Sequence, residues 1–118
     1  AANDGIPPML LEIKNVHLRR SDDSSPKTVA FPDAVTTRGT KHLEELIAAK
    51  KEGYRAGLLF VVQRADGDRM VIANDIDPVY ASTLKSAHEN GVEISAWRCQ
   101  ITLDALTLDS KINMVIPQ

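Results

Sequence analysis

A carboxylate and an ammonium interrupt the largely apolar stretch Met-Leu-Leu-Glu-Ile-Lys-Asn-Val-His-Leu at residues 9–18. Side chains alternate between the two faces of a strand, and the face with both charges comprises Leu10, Glu12, Lys14, Val16 and Leu18. Because the opposite face is also apolar, the pattern predicts a central strand that is covered on both sides. A charge buried there is costly unless it is paired or coordinates a metal ion. The stretch therefore indicates a charged site inside the fold.

Glu12 and Lys14 are the candidate catalytic residues of this site. A glutamate and a lysine two positions apart on an inner strand are the pair that metal-dependent nucleases use. The Glu12 carboxylate would hold a divalent metal ion, and the Lys14 ammonium would orient the attacking water or offset charge in the transition state. A buried structural ion pair, or a strand end that opens into water, explains the same residues. Three residues alone leave these interpretations open.

Length and charge limit the possible functions. At 118 residues we expect one domain over residues 1–118, large enough for a single core. The net charge of −2 supplies no general basic field, so nucleic-acid binding would need a local basic patch. Cys99 is the only cysteine, which favours a reducing compartment, the cytoplasm. The longest apolar run, residues 56–62, is too short to span a membrane, and no secretory signal is recognisable.

Two helices are predicted from their start and stop signals. The first begins at Thr36 or Thr37, either of which can cap it, and ends at Gly53. Its apolar stripe at helical spacing consists of Gly39, Leu43, Leu46 and Ile47, and the glycine suggests that the helix lies close against the sheet. The second helix follows Asp77 as N-cap and Pro78 at its first position, and ends at residues 90–91. Its predicted apolar stripe is Val79, Ala81 or Ser82, Leu84 and Ala87.

Further strands are predicted over residues 54–63 and 92–99, both of them largely apolar. Residues 69–73 and 101–115 are expected to add short strands at the edge of the sheet. The order β-α-β-α-β with apolar inner strands predicts an α/β domain with a mainly parallel core sheet and helices on its faces.

A polar stripe on the first helix is a candidate phosphate site. Arg38, Lys41, His42 and Glu45 follow helical spacing. The helix macrodipole disfavours cations in the first turns, so a function is one explanation for Arg38 and Lys41 there. Two cations, a histidine and free amide donors at one helix start suit a phosphate group. A solvated charged face, with His42 at the border of the core, is the alternative.

Several longer motifs resemble the sugar fermentation stimulation protein A (SfsA) family, in the correct order and over nearly the whole chain. They are Glu12-Ile13-Lys14-Asn15-Val16, Phe31-Pro32-Asp33-Ala34-Val35-Thr36, Arg38-Gly39-x-Lys41-His42-Leu43, Leu59-Phe60-Val61-Val62-Gln63-Arg64, Ile76-Asp77-Pro78-x-Tyr80-Ala81 and Gly91-Val92-Glu93-x-x-Ala96-x-Arg98-Cys99. Family members are described as DNA-binding proteins linked to the regulation of sugar (maltose) utilisation genes in bacteria.

The resemblance implies a restriction-endonuclease-like PD-(D/E)xK fold, with a mixed sheet flanked by helices. This fold belongs to the C-terminal part of the family, and an OB-like domain precedes it. Glu12 and Lys14 match the (D/E)xK pair, and Arg38, Lys41 and His42 match the helix that lines the cleft. The family's Ser-Arg-x-Asp-Phe segment, which holds a second metal-binding aspartate, has no counterpart here. We therefore expect this chain by itself to bind Mg²⁺ or Mn²⁺ poorly and to cleave little.

The leading hypothesis is a DNA-binding domain with a nuclease-like cleft. The alternatives are a metal-dependent DNA phosphodiesterase in the intact protein and a non-catalytic scaffold for protein contacts that can form homo-oligomers. The hypothesis of a nuclease-like cleft makes a geometric prediction that the structure can test. Glu12 and Lys14 must lie on one face, close enough to interact, with the helix start at Arg38 facing the same opening.

Overall fold

The structure, a computed structural model, describes residues 8–16, 18–20, 28–63, 69–101 and 106–117. The strands are β1 (Met9–Val16), β2 (Leu18–Arg20), β3 (Thr28–Phe31), β4 (Arg55–Gln63), β5 (Arg69–Ile72), β6 (Glu93–Ile101) and β7 (Leu106–Val115), and the helices are α1 (Thr37–Lys51) and α2 (Pro78–Glu89). The strand predicted over residues 9–18 therefore ends at Val16, and Leu18 begins β2.

The described strands form one mixed sheet in the order β1-β4-β6-β7-β5-β3-β2. The pairs β1–β4, β4–β6, β5–β7 and β3–β5 are parallel, and the pairs β6–β7 and β2–β3 are antiparallel. Four strands separate β1 from β3 in this order, yet the two strands contact each other, so the sheet is curled. The expected α/β class with a mainly parallel sheet is confirmed.

Both helices begin and end where the sequence predicts. The Thr36 hydroxyl accepts a hydrogen bond from the Gly39 N–H at 2.9 Å, so Thr36 is the N-cap of α1. Asp77 caps α2 in the same way, with Pro78 at the first helical position. Past the helix ends, Gly53 and Gly91 have φ angles of +95° and +90°, which a residue with a Cβ rarely adopts.

One core lies between the helices and the sheet. The alternating residues of β4 that face this core are Ala56, Leu58, Phe60 and Val62. Leu43 and Leu46 of α1 pack into the same cluster as Tyr80, Leu84 and their neighbours on α2. Because both helices share one core with one face of β4, they lie on the same side of the sheet. Of the two faces of the sheet, only one is covered by helices in the part of the chain that the structure describes.

The first strand is not central, contrary to the prediction. β1 stands at the end of the strand order, and Met9, Leu11 and Ile13 on its outer face are 41 %, 47 % and 51 % exposed. The inner face turns toward α1 and reaches the core at Val16, which is fully buried. Apolar residues on both faces are typical of a central strand, but here they occur on an end strand whose outer face no described helix covers.

Other expectations also need correction. β5 and β7 were predicted at the edge, yet both lie inside the sheet order. The strand β3 was not among the predicted strands. On α2, Val79 is 61 % exposed and Tyr80 takes its place in the core. Helical spacing alone does not distinguish these two adjacent positions, because the direction from which the core approaches is a tertiary property.

Candidate functional site

Glu12, Lys14 and His42 meet where β1 faces α1. The Lys14 Nζ lies 2.8 Å from His42 Nδ1 and 3.8 Å from Glu12 Oε1. The same carboxylate oxygen lies 3.4 Å from His42 Nδ1. Glu12 and Lys14 share a face of β1, as expected, and that face meets α1 at His42.

The sequence places these side chains at the border between core and solvent. Strand alternation puts Glu12 and Lys14 in line with Val16, which is fully buried. His42 precedes the buried Leu43 on α1. The exposed fractions of the side chains are 18 % for Lys14, 21 % for His42 and 34 % for Glu12. The three groups are therefore packed from one side and reachable by a solute from the other.

Arg38 and Lys41 are not drawn into this cluster. Both are exposed on α1, and neither makes a hydrogen bond or ion pair with another residue in the described ranges. Arg38 lies one helical turn before His42, so the polar stripe continues from the cluster toward the start of α1. Their charges are thus available to an anionic solute beside the Glu12–Lys14–His42 cluster.

The start of α1 has fewer free amide donors than expected. The Gly39 N–H donates to the Thr36 hydroxyl, and the Thr36 N–H donates to Asp77 Oδ2 at 2.8 Å. A carboxylate therefore already occupies part of this helix start, where a phosphate would otherwise bind. An anion near α1 must rely on the Arg38 and Lys41 side chains more than on the backbone.

The sequence did not reveal that Asp77 accepts a hydrogen bond at the start of α1. Its Oδ1 accepts from the Tyr80 N–H at 3.0 Å while its Oδ2 accepts from Thr36, and the residue is only 3 % exposed. The hydrogen bonds from Thr36 and Tyr80 lower the pKa of the Asp77 carboxyl, against the opposing effect of its burial. The local sequence predicts the cap on α2, but the contact with Thr36 joins residues 41 positions apart.

The described residues by themselves do not fit a complete divalent metal centre. Glu12 is the one carboxylate that they place in the cluster, and they include no group of three or more His, Cys, Asp or Glu side chains suited to a metal ion. Ca²⁺ takes six to eight oxygen ligands, and Mg²⁺ is bound through one or two carboxylates with water. The Lys14 ammonium beside Glu12 also disfavours a cation. The expectation that the chain alone binds Mg²⁺ or Mn²⁺ poorly stays a prediction.

The fold and site define a class: a mixed α/β domain with a glutamate, a lysine and a histidine where an end strand meets the first helix. The chain belongs to the sugar fermentation stimulation protein family, because the family profile described as "Sugar fermentation stimulation protein RE domain" matches residues 2–105. The resemblance seen in the motifs is thereby confirmed.

Relatives and a solved structure agree with this assignment. A "Sugar fermentation stimulation protein homolog" of Rhodospirillum centenum is 46 % identical over 104 residues, 88 % of this chain and 43 % of that protein. The homolog of Maricaulis maris is 43 % identical over 112 residues, 95 % of this chain and 46 % of that protein. The structure of Pyrococcus furiosus SfsA in complex with Ca²⁺ matches with a TM-score of 0.77 and 28 % identity, over 92 % of this chain and 45 % of that one.

The chain thus spans about half the length of the curated relatives it matches. Within the described ranges, neither helix combines the length and the apolar character needed to cross a bilayer.

Proposed function

We propose that this chain is a DNA-binding domain of restriction-endonuclease-like, PD-(D/E)xK type, acting in the cytoplasm within a family whose name links it to sugar fermentation stimulation. The observation that supports the proposal is the Glu12–Lys14–His42 cluster, with Arg38 and Lys41 on the same helix as His42 and not paired with any described residue. DNA would bind through its phosphates, which require no overall positive charge if a local patch is available.

The charge distribution along α1 favours binding of DNA phosphates at the start of the helix. The first turn of the helix contains no acidic residue. A purely structural helix would benefit from acids there, because the macrodipole is positive at that end. Arg38 and Lys41 gain nothing from the macrodipole or from a described partner, whereas Lys50 and Lys51 lie in the last turn, where cations are favoured. The macrodipole therefore stabilises the helix with Lys50 and Lys51 in place but not with Arg38 and Lys41.

The salt dependence of DNA affinity tests the proposal, with a matched control on the same helix. Affinity of the wild type for a short duplex should fall steeply with salt, and Arg38→Ala combined with Lys41→Ala should reduce the slope of log affinity against log salt by up to about 2. Lys50→Ala with Lys51→Ala removes the same charge from the other end of α1 and should change the slope much less. Equal effects of the two double variants would contradict a site at the helix start.

Metal-dependent hydrolysis of DNA by a longer protein is the second candidate. The Glu12 carboxylate is one-third exposed beside Lys14, and the related P. furiosus protein was solved in complex with Ca²⁺. On the family resemblance, we propose that an OB-like domain precedes this domain in the intact protein and that an upstream aspartate joins Glu12 as a ligand of Mg²⁺ or Mn²⁺.

Cleavage assays separate the two candidates. A protein of the relatives' full length that contains this chain is incubated with labelled DNA and Mg²⁺ or Mn²⁺, next to Glu12→Gln and Lys14→Ala variants. Divalent-dependent cleavage that both variants lose supports the enzyme. No cleavage, or equal background in the variants, leaves DNA binding as the function.

A further inference from the structure

We infer that His42 is a positioning residue for Lys14: its Nδ1 accepts a hydrogen bond from the Lys14 ammonium and thereby holds that charge in the site. The contact between Lys14 Nζ and His42 Nδ1 is 2.8 Å long. The role of the held charge in DNA binding rests on the function proposed above, whereas the contact itself does not.

Hydrogen-bonding capacity determines which group donates. A lysine ammonium has three N–H donors and no acceptor. At 2.8 Å, a proton on His42 Nδ1 would face another N–H donor, so this contact favours a lone pair on Nδ1 and the ring proton on Nε2. Glu12 Oε1 lies 3.4 Å from the same Nδ1 and would favour a proton there, but this distance exceeds that of an ordinary N–H···O hydrogen bond, so the shorter contact with Lys14 dominates. The contact with Lys14 therefore sets the tautomer of His42.

The distances also show that His42 and Glu12 interact differently with Lys14. The imidazole nitrogen lies 2.8 Å from Nζ, whereas Glu12 Oε1 lies 3.8 Å away, beyond an ordinary hydrogen bond. His42 thus holds the ammonium more directly than the carboxylate does. Glu12 remains at ion-pair distance and keeps one-third of its side chain exposed for a ligand.

Anchoring Lys14 has a physical benefit at a phosphate site. A free lysine side chain has large rotamer entropy, which binding a phosphate would have to overcome. His42 follows the capped start of α1 and precedes the buried Leu43, so its ring is attached to a well-packed element. An acceptor mounted on the helix reduces the freedom of an ammonium mounted on the strand.

Nuclear magnetic resonance of the side chains tests the contact without any DNA. In ¹⁵N-labelled wild type, long-range correlations should show neutral His42 with the proton on Nε2. The Lys14 ammonium should give a slowly exchanging signal that the exposed Lys50 and Lys51 do not give. His42→Ala should abolish this signal, and His42→Asn should restore it, because the Asn carbonyl oxygen can accept near the position of Nδ1. A proton on Nδ1 of the neutral ring, or a Lys14 signal that is unchanged in His42→Ala, would overturn the inference.

DNA affinity distinguishes failure of this inference from failure of the proposed function. If wild type binds duplex DNA, His42→Ala should weaken binding about fivefold, the effect of one ordinary hydrogen bond, and His42→Asn should recover most of that loss. Equal losses in both variants would show that DNA binding does not depend on an acceptor for Lys14 at position 42, which would overturn the role of the held charge in binding. If wild type does not bind DNA, the proposed function is wrong, while the resonance experiment still decides whether His42 positions Lys14.

Discussion

The Asp77 carboxylate accepts a hydrogen bond from the Thr36 backbone N–H at 2.8 Å, so the N-cap of α2 is joined directly to the N-cap of α1. This bond orients the helix that carries His42, although Asp77 lies on neither element of the Glu12–Lys14–His42 cluster. Two helix starts thus share one buried carboxylate.

Asp77→Ala should lower the free energy of unfolding by about 2 kcal/mol, because it removes a helix cap and leaves the Thr36 N–H without its acceptor. Asp77→Asn keeps one carbonyl acceptor, which can serve only one of the two N–H donors, and its NH2 group would face the other, so it should recover only part of the loss and cost about 1 kcal/mol. Urea unfolding measures both. A loss below about 0.5 kcal/mol in Asp77→Ala would contradict the stabilising role of the two hydrogen bonds.

The lowered pKa of Asp77 also predicts a pH dependence of stability. The folded protein binds this proton less readily than the unfolded chain does, so the stabilisation is fully present above the unfolded value of about 3.9. It is lost as the pH falls through the lower folded value. The stability of wild type should therefore decline more steeply below about pH 4 than that of Asp77→Asn. Parallel acid limbs in urea titrations would contradict this.

Gly39→Ala should destabilise the protein although it replaces glycine inside a helix. In an exposed helix this change stabilises by about 1 kcal/mol, but here the new Cβ would lie 2.8 Å from Thr36 Cγ2 and 3.1 Å from Tyr80 Cε2. Displacing the Thr36 cap and the buried ring should cost about 1–3 kcal/mol. Thermal unfolding measures the net loss, and Glu45→Ala at an exposed position of the same helix should change stability by less than about 0.5 kcal/mol. A stabilised Gly39→Ala variant would contradict the close packing.

Gly39 was expected to mark a close approach of α1 to the sheet. The structure places α2 there instead, through Tyr80. The sequence signal was correct about a close contact and wrong about its partner.

Tyr80→Phe should leave stability unchanged or raise it by up to about 1 kcal/mol. The Tyr80 side chain is fully buried against Phe31, and its hydroxyl has no hydrogen-bond partner among the residues that the structure describes. Removing an unsatisfied buried hydroxyl eliminates a desolvation cost, whereas Tyr80→Ala should cost about 3–5 kcal/mol through loss of the ring. A loss above about 1 kcal/mol in Tyr80→Phe, measured by urea unfolding, would indicate that the hydroxyl has a partner.

The outer face of β1 should drive self-association of this chain at high concentration. Leu11 and Ile13 are about half exposed on an end strand, and such apolar edges promote pairing between molecules. Leu11→Lys combined with Ile13→Lys should shift the mass measured by light scattering toward the monomer. Val79→Lys makes the same kind of change at an exposed position on α2 and should have no such effect. A wild-type monomer at every concentration would argue against homo-oligomers.

The sequence by itself determined the ends of the two helices and the shared face of the two charged residues on β1. Thr36, Asp77, Gly53 and Gly91 specified where the helices begin and end, because caps and positive-φ positions depend on neighbouring backbone groups. Strand alternation placed Glu12 and Lys14 on one face. These properties follow from geometry within a few residues, so the primary structure predicts them.

The tertiary structure decided everything that depends on distant partners. It placed β1 at the end of the sheet, β5 and β7 inside it, and both helices on one side. It also brought His42 to Lys14 and Asp77 to Thr36, across 28 and 41 positions of the chain. Periodicity specifies which side of an element is apolar but not which element covers it. The choice of covering element comes from packing the whole core at once.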